Sequence, residues 1–108
     1  MTAAAKRPAG GVALRLDLSR HCLQTELKRR HNRAVSEYFR AEPERQPRLA
    51  ALIETLRRAL EELDFSSLRA RYPVLSGGSD VEVRLTAHGA RWRIAMGDRV
   101  IEVAQKTD

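Results

Sequence analysis

Cysteine occurs once in this 108-residue chain, proline four times, and aromatic residues make up 5%. A lone thiol, Cys22, excludes a disulfide-stapled framework within the chain, and the simplest setting for it is a reducing cytoplasm. No apolar run approaches the ~20 residues needed to cross a bilayer, so no membrane insertion is expected. The first eleven residues carry the pair Lys6-Arg7, but no apolar stretch of signal-peptide length follows it. Internal repeats are also missing.

The motifs of common chemistries are absent too. There is no Gly-x-Ser-x-Gly, and Ser76-Gly77-Gly78-Ser79 lacks the Gly-Lys-Ser/Thr that completes a phosphate loop. His21, His31 and His88 are far apart in sequence. His21 and Cys22 are adjacent, so on a helix they diverge by about 100° and do not converge on one ion. These gaps point to a non-enzymatic protein with no cofactor and no metal. Cys22 has Arg20 and Arg29 nearby and lies near a helix start, both of which lower a thiol pKa; the stronger expectation is a buried, inert thiol.

What is present fits one compact unit: 43% of residues are hydrophobic and 31% charged. Residues 1–11, with Pro8 and Gly10-Gly11, read as a flexible tail; residues 12–108 read as a single α+β domain. Val12, Leu14, Leu16 and Leu18 alternate with Ala13, Arg15 and Asp17, the period of a strand. Asp17 or Ser19 is the expected cap of a helix over 20–40, whose stripe holds Leu23, Leu27, Ala34 and Tyr38. Pro43 and Pro47 end it, and Pro47 suits the first turn of a second helix. There Leu49, Leu52, Ile53, Leu56, Leu60 and Leu63 form the apolar stripe, with Glu54–Arg58, Arg57–Glu61 and Arg58–Glu62 four residues apart. A short helical turn over 64–72 is expected to pack Phe65, Leu68 and Tyr72 inward. Ser76 to Ser79 reads as a flexible connector.

The last thirty residues predict a three-stranded meander. Taking His88-Gly89 as a two-residue turn sets Leu85 opposite Trp92 and Val83 opposite Ile94. A Gly97-Asp98 turn sets Ile94 opposite Ile101 and Trp92 opposite Val103. Both keep the large apolar side chains on one face, and place Arg84, Arg93 and Glu102 in one row on the other. The expected fold is a two-layer α+β domain: two main helices on one face of a C-terminal three-stranded antiparallel meander, with segment 12–18 as a candidate fourth strand.

The formal charge is +6, and it is unevenly spread. Residues 19–41 hold six basic and two acidic side chains, whereas 42–64 hold four and six. Arg29, Arg33 and Arg40 fall within about 40° on an ideal helix wheel, with Lys28 on another face. Such a stripe attracts phosphates. Arg84, Arg91 and Arg93 offer a second basic surface on the sheet, without aromatics for base stacking. The leading reading is a small interaction module whose first helix binds a polyanion, either nucleic acid or an acidic protein surface, through Lys28, Arg29, Arg33 and Arg40, with Arg84, Arg91 and Arg93 as the next candidates. The order strand, two helices, meander in a small basic protein resembles that of RelE/ParE-type toxins; Arg91, Arg93 and Arg99 stand where members that cleave messenger RNA use basic side chains, and no tyrosine follows Tyr72. That resemblance implies, as an alternative, an RNase acting from the sheet. A third reading is a regulatory subunit that forms homo-oligomers through its helices, with incidental charge.

Overall fold

The computed structural model describes residues 12–105; the tail expected over 1–11 lies outside them. The elements run β1 (Ala13–Asp17), α1 (Leu23–Arg40), α2 (Gln46–Glu62), α3 (Phe65–Arg71), β2 (Glu82–His88), β3 (Arg91–Met96) and β4 (Arg99–Ala104), with a short 3-10 turn at Pro73–Ser76. The sheet is antiparallel throughout in the order β1-β2-β3-β4. This is the expected α+β fold, and segment 12–18 does supply the fourth strand.

Strand alternation decides which sheet face is dry. Leu14, Leu16, Val83, Leu85, Ala87, Trp92, Ile94 and Met96 point into the core, joined from the helices by Leu23, Leu27, Ala34, Leu56 and Ala59. Burying a leucine as fully as Leu56 contributes ~1.5–3 kcal/mol, so this seam supplies most of what holds the two layers together.

The second hairpin turns at Gly97-Asp98 and pairs Ile94 with Ile101 and Trp92 with Val103, as expected. The first does not turn at His88-Gly89. Its loop is Gly89-Ala90, with His88 opposite Arg91, so Ala87 meets Trp92, Leu85 meets Ile94 and Val83 meets Met96. The reason is backbone sterics. Both loops open on a glycine with positive φ, 60° at Gly89 and 64° at Gly97, and no other residue type among the described residues takes positive φ. A turn with positive φ at its first loop position alone takes glycine there, whereas the His88-Gly89 reading puts histidine in that place. The shift is two residues, so every side chain keeps its face; Arg93 still meets Glu102, while Arg84 moves opposite Ala95.

Other expectations are corrected at element ends. Cys22, not Asp17 or Ser19, is the N-cap of α1, and it makes no side-chain cap bond. The Asp17 carboxylate instead accepts the Ser19 N–H at 2.9 Å and turns the chain out of β1. On α2, Glu54 pairs with Arg57 rather than Arg58, because Arg57 bridges Glu54 and Glu61. The segment Ser76–Ser79 is not a loose connector: the Gly78 N–H donates to the Leu18 carbonyl at 2.7 Å, and Gly77 crosses against the His21 backbone.

Candidate functional site

The two basic surfaces differ in how their charge is held. On the open sheet face, alternation brings Arg15 directly opposite Arg84, and Glu82 bridges them at 3.2 and 3.8 Å. Arg91 and Arg93 share Glu102 at 3.6 and 2.9 Å. Hydrogen bonding from Arg93, reinforced by the charges of Arg91 and His88, holds the Glu102 carboxyl below its ordinary range. Each arginine of this open face therefore already faces a carboxylate, whereas Arg99 of β4 lies over the Tyr72 ring. The pairs are exposed and contribute little to stability, but they lower the positive potential a phosphate would meet. No Phe, Tyr or Trp lies on this face: Trp92 and Phe65 are buried, and Tyr38, Phe39 and Tyr72 belong to or follow the helices. It has no stacking platform for bases.

The α1 flank is different. Arg29, Arg33 and Arg40 line the side of the helix away from its buried stripe. Arg29 reaches Glu26 at 3.7 Å, with its side chain 53% exposed, a pair that water screens. Among the described residues Arg33 and Arg40 have no carboxylate partner, and neither does Lys28, which projects from another face. Arg30, between them in sequence, is used structurally: its guanidinium donates to the Arg15 carbonyl at 2.9 Å and ties α1 to the β1 edge. The structure thus groups Arg29, Arg33 and Arg40, separates Lys28 from them, and sets Arg84, Arg91 and Arg93 on the open sheet face, where with Arg15 they share two glutamates. Arg15 was not singled out from sequence; the signal for it is the alternation of β1, once that strand is paired with β2.

The acidic end of α2 has structural tasks that spacing alone did not reveal. Glu62 takes Arg58 in a two-pronged pair, at 2.9 and 3.2 Å, and accepts the Trp92 indole N–H at 2.8 Å. The same guanidinium lies over the Trp92 ring, 5.4 Å from its centroid, and donates to the Gly89 carbonyl at 3.3 Å. Burial acts to raise the Glu62 pKa, but the Arg58 and Trp92 hydrogen bonds outweigh it and the net direction is down. Asp64 caps α3 by accepting the Ser67 N–H at 3.2 Å.

Cys22 is half-buried, which corrects the expectation of a buried thiol. The Thr25 hydroxyl at 3.3 Å, the amides of Thr25 and Gln24, and the Arg69 charge push its pKa down against a smaller desolvation effect. Among the described residues no three His, Cys, Asp or Glu side chains gather into a group that could hold a metal ion, and no helix is long and apolar enough to cross a membrane.

No curated protein and no solved structure matches the chain. A family model does match, over residues 12–102. That stretch runs from the lead-in of β1 through the helices and the β2–β3 hairpin into β4, so the matched unit is the helix-covered sheet described above, and the chain belongs to this protein family.

Proposed function

We propose that the protein is a small, non-enzymatic interaction module that binds a polyanion, with nucleic acid as the representative ligand, along the α1 flank formed by Arg29, Arg33 and Arg40. One observation carries the reading: Arg33 and Arg40 have no carboxylate partner among the described residues, whereas Arg84, Arg91 and Arg93 each face one. A guanidinium outside any ion pair is free to take a phosphate in a forked pair. One helical turn separates Arg29 from Arg33 and about two separate Arg33 from Arg40, so the stripe follows a strand backbone rather than a point charge. Contacts of that kind position a protein without reading bases.

Fluorescence anisotropy with labelled duplex and single-stranded oligonucleotides, titrated at several salt concentrations, tests it. Affinity is expected to fall steeply with salt and to depend little on sequence. Arg33→Glu with Arg40→Glu should weaken binding strongly and flatten the log-log salt slope by ~0.9 per lost duplex contact, or ~0.7 on a single strand. Arg84→Glu with Arg93→Glu should have the smaller effect. Binding that responds only to the sheet pair would move the site to the sheet. No binding at low salt would leave an acidic protein surface as the ligand of the stripe.

A further inference from the structure

We propose that the chain pairs with a second copy of itself through the outer surface of the α1–α2 hairpin. Near the hairpin tip, Val35, Tyr38 and Phe39 of α1 and Ala50 and Ile53 of α2 line an open apolar groove bordered by Glu54. Phe39 is 78% exposed, more than any other large hydrophobic side chain described. Its ring stands edge-on to that of Tyr38 with centroids 5.5 Å apart. Single exposed apolar residues are ordinary on protein surfaces. A projecting phenyl ring beside a recess lined by its own neighbours is a different arrangement. One patch then holds both a knob and a hole, which is what a two-fold, self-complementary contact requires.

Charge selects the occupant. At a formal +6, two copies repel one another over much of their surface. The hairpin's outer face is an exception. The groove lining carries one charged side chain, Glu54. Arg57 is bonded to Glu54, so the one charge bordering the groove is already paired. A second copy meets no net charge there. A polyanion gains nothing from this face and finds its arginines on the other flank of α1.

Sedimentation equilibrium of the full chain from micromolar to millimolar concentration is the test. The mass is expected to rise from the 12.2 kDa of one chain toward twice that value. Phe39→Asp should raise the dimer dissociation constant at least tenfold, with far-UV circular dichroism unchanged and, at concentrations where both chains are monomeric, the same thermal midpoint, since the ring lies outside the core. Arg33→Glu, on the opposite flank, should leave the dimer intact. A monomer across the whole range overturns the proposal. So does a dimer indifferent to Phe39→Asp, or a monomer whose groove is covered only when a different protein is added.

Discussion

Glu62 shows how much one side chain does in this fold. It neutralises Arg58, satisfies the indole N–H of a fully buried tryptophan and, through Arg58, ties α2 to the β2–β3 loop. Glu62→Gln keeps an acceptor for Trp92 but leaves the half-buried Arg58 without its counter-charge, so a loss of ~1–3 kcal/mol is expected in chemical denaturation. The pH dependence has a definite sign. The folded pKa of Glu62 is depressed, so its contribution is complete above the unfolded value of about 4.3 and disappears as pH falls through the lower, folded one. Denaturation midpoints of the wild type should therefore decline more steeply below about pH 4.3 than those of Glu62→Gln. Parallel curves would mean that the carboxylate is dispensable. The spacing of Arg58 and Glu62 was legible in the sequence; the indole partner was not, because it joins residues that only the packing of α2 on β3 brings together.

Among the elements, the connector after the 3-10 turn best separates composition from structure. Two glycines between serines read as slack chain, yet Gly77 has φ 97° and ψ 173°, a region open essentially to glycine. A Cβ there would lie 2.9 Å from the His21 carbonyl carbon and oxygen, backbone atoms that cannot swing aside. Gly78 also has positive φ, but a Cβ on it would meet open space. Gly77→Ala is thus expected to cost more than Gly78→Ala, by ~1 kcal/mol or more, and equal thermal midpoints for the two variants would refute the close crossing. Helices and strands were largely legible because period and alternation record burial directly: the stripe through Leu49, Leu56 and Leu63 and the Trp92-Ile94-Met96 set face the core as read. Turn register was legible only in part. It hangs on which residue takes positive φ, and Gly89 serves either reading until the first loop position is required to be glycine.

At the level of the molecule, the open sheet face and the α1 flank carry similar arginines that differ in their ion pairing. The sequence located both surfaces; it could not show that Glu82 and Glu102 each serve two arginines, since that sharing depends on cross-strand neighbours in a register still to be found. Exposed Phe39 was equally hidden: its neighbour Tyr38 read as part of the apolar stripe, but the buried stripe of α1 is Leu23, Leu27 and Ala34, and Tyr38 lines the open groove with Phe39. The place of β1 has a kinetic consequence. The α1–α2 pair and the β2–β4 hairpins each close through short connections, whereas β1 meets β2 only after the whole helical segment has been laid down between them. The entropy of closing that long loop must be met before any β1 contact forms, and non-local pairings of this kind slow folding. In pulse-labelled hydrogen exchange during refolding, amides of β2 and β3 that face one another should gain protection ahead of those joining β1 to β2. Strand β1, synthesised before its partner, would be the last to take its seat, and until it does Val83 and Leu85 stand at a bare sheet edge.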